Sequence, residues 1–235
     1  TDETKSWGEA EIGRLELADY VMNNDRAVQL ENGRILLPVA LHTWDSQEFR
    51  NMGKIKCYYS DDNGSTWHCS QEAANPEKAV SQEPGIVELN DGKIMLFCRT
   101  MSGVQYLSFS KDRGETWSSL QPGGIRSPLS PASVERIPST GDLMLIWNNN
   151  SNSSDKDSGR RTPLSLAISK DEGKSWEKVK TIENNPFGWY CYTAIEFADG
   201  HALLGYCSDD LRHTNNLSTT QITRISMDWI YANQT

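Results

Sequence analysis

Asp25, Arg26, His42, Glu83, Arg99, Arg161 and the tyrosines at 190 and 192 are the residues of this chain whose chemistry could act on a ligand. Arginine offers a permanent planar charge that grips an anionic group through two parallel N–H bonds. Carboxylates and phenols within hydrogen-bond reach of one another exchange protons. Such a collection suits a small anionic ligand. The net charge of −9 does not argue against one, because a few local arginines outweigh a diffuse acidic surface.

These residues lie far apart in sequence, so the elements that gather them matter. One unit punctuates the chain: Ser60-Asp61-Asp62-Asn63-Gly64-Ser65-Thr66-Trp67 recurs as Ser110–Trp117 and again as Ser169–Trp176. The shared pattern is S-x-D-x-G-x-[ST]-W. A degenerate copy, Asp2-Glu3-Thr4-Lys5-Ser6-Trp7, keeps the Asp-to-Trp spacing but has Thr4 in place of Gly. The aspartates at 2, 62, 112 and 171 give a repeat of 50 to 60 residues, which is the length of a repeated supersecondary unit. Asp followed two residues later by Gly reads as a hairpin turn in which the carboxylate accepts backbone N–H bonds and Gly supplies positive φ. These aspartates are expected to be structural, because the same unit recurs on every repeat.

Between the turns lie apolar strand pairs. They are Arg26–Leu30 with Arg34–Val39, Gly85–Leu89 with Lys93–Phe97, Ala132–Ile137 with Leu143–Trp147, and Thr193–Phe197 with Ala202–Tyr206. The first strand of each pair alternates and the second is almost continuously apolar. Each repeat therefore reads as four antiparallel strands, and the whole as an all-β propeller with about four blades in this chain. Gln221–Ser226, continued by Met227–Tyr231, is read as a closing strand. Asn148–Gly159 is a polar stretch suited to a surface loop or a lid. The truncated first motif predicts a single domain over 1–235 that lacks its N-terminal blades.

In an antiparallel blade, the start of strand one, the end of strand two and the start of strand three share one face of the ring. That face collects Asn24, Asp25 and Arg26, Gln82 and Glu83, and Ser130. It also collects Trp189, Tyr190 and Tyr192, then His42, Arg99 and Asn148, then Arg160 and Arg161. The turn motifs take the opposite end. This asymmetry marks the site.

The composition agrees with a folded domain. Hydrophobic residues make up 37%, with eight Trp and eight Tyr, which excludes disorder. No apolar run approaches the roughly 20 residues of a membrane span. There is no basic patch, so nucleic acid is not an expected partner. Cys57, Cys69, Cys98, Cys191 and Cys207 are odd in number and lack metal-type spacing, which favours free thiols. Cys57 and Cys69 flank one hairpin and could pair in an exported protein.

The repeated turn is similar to the Asp-box, or BNR, repeat of sialidases. Glu83-Pro84-Gly85-Ile86-Val87-Glu88-Leu89-Asn90-Asp91-Gly92-Lys93-Ile94-Met95-Leu96-Phe97-Cys98-Arg99 also resembles a sialidase segment that begins with Glu and ends with Arg. The resemblance implies a six-bladed sialidase-like propeller of which this chain covers about four blades. It implies retaining hydrolysis of a terminal sialic acid or related acidic sugar, with neither metal nor organic cofactor. Glu83 would activate a tyrosine nucleophile at Tyr190, with Tyr192 as the rival position. Arg99 and Arg161 would bind the substrate carboxylate, and Arg26, Asp25 and His42 face the same side. The family's first arginine and its acid/base aspartate are expected upstream of Thr1. Action on surface glycans would imply a secreted or periplasmic location. The rival expectation is a non-catalytic Asp-box propeller that binds glycan or protein through the same face.

Overall fold

The second strands of the two middle repeats, Ile94–Thr100 and Leu143–Asn148, are apolar at nearly every position because they are buried on both faces. In the computed structural model, which describes residues 19–45, 48–150 and 159–233, four antiparallel sheets stand side by side as the blades of a propeller. The first blade begins with β1 (Asp19–Val21), β2 (Val28–Gln29) and β3 (Ile35–His42). The chain then makes a small ribbon of β4 (Trp44–Asp45) with β5 (Glu48–Phe49) and completes the blade with β6 (Lys54–Ser60) and β7 (His68–Cys69). The second blade is β8 (Ser81–Glu88), β9 (Ile94–Thr100), β10 (Val104–Ser110) and β11 (Gln121–Arg126). The third is β12 (Ser133–Arg136), β13 (Leu143–Asn148), β14 (Leu164–Ser169) and β15 (Glu177–Glu183). The fourth is β16 (Gly188–Ala198), β17 (His201–Asp210) and β18 (Thr220–Ser226), followed by α1 (Met227–Tyr231).

Side-chain alternation divides β9 between two neighbours. Ile94, Leu96 and Cys98 pack with Leu36, Ala40 and Ile55 of the first blade. Met95 and Phe97 pack with Val134, Leu143 and Leu145 of the third. Strand β13 repeats the arrangement, with Leu143, Leu145 and Trp147 toward blade two. Its other face gives Met144 and Ile146 to Leu204 and Tyr206 of blade four. The core is thus a series of layers between consecutive blades.

The repeated turn is held by its own motif residues. Asp62 Oδ1 accepts the Thr66 backbone N–H at 2.8 Å and the Ser60 hydroxyl at 2.8 Å, while Oδ2 accepts the Thr66 hydroxyl at 2.7 Å. Ser60 Oγ in turn accepts the Gly64 N–H at 2.8 Å. The same bonds recur about Asp112 and Asp171. Asn63 and Gly64, Arg113 and Gly114, and Glu172 and Gly173 all take positive φ, as the central pair of a type I′ turn requires.

The turns also tie blade to blade, which the motif alone does not reveal. Arg34 of blade one pairs with Asp61 of its own turn at 2.7 Å and with Glu115 of the blade-two turn at 3.0 Å. Arg136 of blade three pairs with Glu172 at 2.9 Å and donates to the Glu88 carbonyl of blade two at 2.8 Å. A Cβ at Gly114 would lie 3.0 Å from Leu36 Cδ2, and one at Gly173 would lie 3.1 Å from Met95 Sδ. Glycine therefore serves the turn and its close approach to the preceding blade together.

Two expectations need correction. The closing strand stops at Ser226, whose hydroxyl accepts the Trp229 N–H and caps the helix Met227–Tyr231. The strand expected over 26–30 covers only Val28–Gln29, and the first position of blade one is shared with β1, which pairs with the end of β3 while β2 pairs with its start and the segment between them is not strand. The Asp2–Trp7 motif, the strand expected after it and residues 151–158 of the polar loop lie outside the described residues.

The turn carboxylates make acid stability testable. Hydrogen bonds from the side chains of Thr66 and Ser175 hold Asp62 and Asp171 down to about 2, below the ordinary 3.8. A depressed carboxylate stabilises the fold above its unfolded value, and that contribution is lost as pH falls through its folded value. Asp171→Asn is therefore expected to flatten the dependence of urea midpoint on pH between about 4 and 2. Both carboxylates are exposed, so the effect is read from the slope. Parallel profiles for the variant and the parent would exclude this role.

Candidate active site

Two irregularities in the innermost strands bring Glu83 to a tyrosine. Strand β8 pairs Gln82 with Arg99 and then Gly85 with Phe97, so three steps on β8 face two on β9. Strand β16 pairs Cys191 with Cys207 and then Ala194 with Gly205, the same excess of one residue. These are β-bulges, which re-aim side chains that a regular ladder would send elsewhere. Glu83 at φ +47° and Tyr192 at φ +57° occupy the two bulges. Positive φ at non-glycine residues costs on the order of 1–3 kcal/mol each, and such strain gathers where geometry serves function.

The Tyr192 hydroxyl donates to Glu83 Oε1 at 3.3 Å. The same oxygen meets Arg99 Nη2 at 3.1 Å, with both side chains about 10% exposed. Arg99 Nη2 also donates to Gln82 Oε1 at 2.6 Å. Arg161, just ahead of β14, places its guanidinium 4.7 Å from the Trp189 ring centre and 5.2 Å from that of Tyr192. Tyr192 thus links all three of the residues expected to converge.

Several polar atoms here lack a partner among the described residues. They are Nε and Nη1 of Arg161, Nε of Arg99, Oε2 of Glu83 and Nε1 of Trp189. Buried donors are normally satisfied, and a cluster of exceptions in one place points to a ligand that completes them. Burial lowers the Arg99 pKa, and the Glu83 charge opposes that shift. Two arginines with open donors beside a phenol and a carboxylate can hold a carboxylate-bearing molecule against the Tyr192 oxygen.

The other expected residues have different surroundings. Tyr190 is 4% exposed and packs edge-on against Tyr206 within the core between blades three and four. In a regular strand, Tyr190 and Tyr192 would share a face. The bulge separates them, and the rival position is the one at Glu83. Arg26 Nη2 donates to the Ala132 carbonyl at 2.6 Å, and its guanidinium lies over Phe97. Asp25 accepts the Ile195 backbone N–H at 2.9 Å. His42 Nδ1 meets the Arg50 carbonyl at 2.9 Å.

Glu135 carries no signal in the sequence that would select it, since it reads as the polar member of an alternating strand. Burial raises its pKa to about 7, Asp25 adds to the rise and Arg26 opposes it. Among the described residues no group of three or more His, Cys, Asp or Glu could hold a metal ion. All five cysteines are free thiols. A cavity of about 1050 Å³, lined by Phe109, Lys111, Trp117, Glu172 and Lys174 among others, lies at the turn-motif end. It holds none of the Glu83, Arg99, Arg161 and Tyr192 set, so the candidate site is placed by its chemistry and not by its volume.

A family model described as a BNR repeat-like domain matches residues 1–205. A sialidase of Vibrio cholerae serotype O1 is 30% identical over 172 residues, covering 63% of this chain and 21% of that protein. The chain therefore spans about a fifth of that relative's length. The solved intramolecular trans-sialidase of Ruminococcus gnavus, in complex with oseltamivir carboxylate, superposes with a TM-score of 0.74 at 23% identity, covering 99% of this chain and 50% of that one. The leech intramolecular trans-sialidase, complexed with 2,7-anhydro-Neu5Ac, gives 0.71 at 23% identity, covering 97% of this chain and 36% of that one. At this identity the structural likeness speaks for the fold.

Proposed function

The chain belongs to the BNR repeat-like domain family and has a sialidase-like propeller fold, and from that premise we propose that it carries the nucleophile side of an exo-α-sialidase site. The observation that supports this reading most is the Tyr192 hydroxyl bonded to Glu83, which is itself paired with Arg99. Terminal sialic acid bears a carboxylate on its anomeric carbon. Arg99 and Arg161 would bind that carboxylate, with the open donors of Arg161 completed by it. A carboxylate nucleophile would be repelled by the substrate's own charge. A neutral phenol is not, and sialidases with a Tyr nucleophile are a recognised exception to the two-carboxylate scheme.

In this reading Glu83 draws the proton from Tyr192 as its oxygen attacks the anomeric carbon. The departing alcohol oxygen takes a proton from a general acid, and water then opens the tyrosyl–glycosyl intermediate with retention. That acid and a further arginine are proposed to come from chain outside residues 19–233. Among the described residues no helix is long and apolar enough to cross a membrane.

The test is release of a fluorogenic alcohol from an α-sialoside by the full-length protein and by this chain. Release by the full-length protein, lost in Glu83→Gln, is the expected result. No release by a folded full-length protein would end the hydrolase reading in favour of glycan binding through this face.

A further inference from the structure

The bulge that carries Tyr192 is clasped from two other blades, and we propose that Asn24 and Asp25 are positioning residues that set the aim of the Tyr192 hydroxyl. The proposal rests on the reading of Tyr192 as the nucleophile. Strand β16 is the edge strand of its sheet, so its backbone groups on the side away from β17 have no strand partners and must find others. Three side chains supply them. Asn24 Nδ2 donates to the Tyr192 carbonyl at 2.9 Å, Asp25 Oδ2 accepts the Ile195 N–H at 2.9 Å, and Ser133 Oγ donates to the Thr193 carbonyl at 2.6 Å. All three act at the strained residue or within three positions after it.

The clasp explains the break in the first blade. Between β1 and β2 the chain leaves the sheet, and Asp25 takes φ +56°. A continuous strand would hold residues 22–27 in the ladder of its own blade. The interruption frees Asn24 and Asp25 to reach across the ring to blade four, while Arg26 anchors the segment on Ala132 of blade three. Glu135 and Arg26 are the charged neighbours of Asp25 in this clasp. Without the Asp25 acceptor, the Ile195 N–H loses its partner and β16 has less reason to keep its bulge. Closing the bulge would turn Tyr192 away from Glu83, since one step of register exchanges the two faces of a strand.

The experiment compares Asp25→Ala with Asp25→Asn in the full-length protein. The amide keeps an acceptor for the Ile195 N–H and loses only the charge. Asp25→Ala is expected to lower kcat about 100-fold with KM within about 3-fold, as for a displaced reacting group. Asp25→Asn is expected to stay within about 5-fold of the parent. Crystal structures supply a readout independent of turnover: the Tyr192 hydroxyl should leave hydrogen-bond reach of Glu83 in Asp25→Ala and remain there in Asp25→Asn. Should Asp25→Ala not fold, Asn24→Ala removes the more exposed clasp and is read in the same way. An Asn variant as impaired as the Ala variant would overturn positioning in favour of a charge role. A Tyr192 hydroxyl left in place in the Ala variant would overturn the proposal outright. If the parent releases nothing from sialosides, the functional reading falls, while the crystallographic displacement still decides the clasp.

Discussion

Tyr192→Phe is expected to reduce sialoside hydrolysis on the order of 10³-fold or more, the scale on which loss of a nucleophile acts. The change removes one oxygen and keeps the ring that stacks beside Arg161, so folding and carboxylate binding should survive. KM is therefore expected to change little while kcat collapses. Tyr190→Phe is the matched control: its ring stays packed against Tyr206, and its rate should remain within a few-fold of the parent. Steady-state kinetics of the two variants side by side separate the positions. Undiminished turnover by Tyr192→Phe would remove the tyrosine from the mechanism.

Arg99→Ala is expected to cost stability as well as activity. Glu83 and Arg99 form an ion pair from which water is largely excluded, 3.1 Å apart. Removing one member of such a pair leaves the other charge uncompensated, at about 3–5 kcal/mol. The Tyr192 hydroxyl, 3.3 Å from Glu83 in the parent, would remain as a partner, which places the expectation toward the lower end of that range. Adding Glu83→Gln to Arg99→Ala should recover part of the loss, because the stranded charge goes with it. Urea unfolding of the two single variants and the double variant measures the coupling. A loss below about 1 kcal/mol in Arg99→Ala would mean that the pair behaves as a solvated surface bridge.

The blades were legible because their signals are local. A period-two strand, an Asn-Gly or Asp-Gly turn and the S-x-D-x-G-x-[ST]-W unit each act within a few residues, and the strand pairs at 85–97 and 193–206 stand where their patterns place them. The closeness of Glu83, Arg99 and Arg161 was legible from strand polarity combined with the family resemblance. The choice between Tyr190 and Tyr192 was not, because it depends on one inserted residue whose backbone partners come from Asn24, Asp25 and Ser133, far away in sequence. The same limit hid the break in the first strand of blade one. Ser226 explains the misread end: the apolar run through Ile230 continues the strand pattern, but a serine followed by Asp228 also starts a helix, and the cap prevailed.

The paired arginines at 34 and 136, each gripping its own turn and a neighbouring blade, bear on how the molecule comes apart. At both of these joints a turn glycine is laid on the preceding blade's second strand and an arginine reaches the neighbouring blade, Arg34 through Glu115 and Arg136 through the Glu88 carbonyl. Apart from the Asn24–Arg26 crossbar and the Tyr192–Glu83 contact, the coupling runs between nearest neighbours, and such an array approaches a one-dimensional cooperative lattice, with free energies assigned to units and to junctions. A lesion at one junction then lowers the cost of parting two blades there and leaves the others' internal stability almost untouched. The Tyr192–Glu83 contact joins two non-adjacent units and is held in place by the blade between them and by the Asn24–Arg26 crossbar, so loss of a junction is expected to part this pair well before the lattice melts.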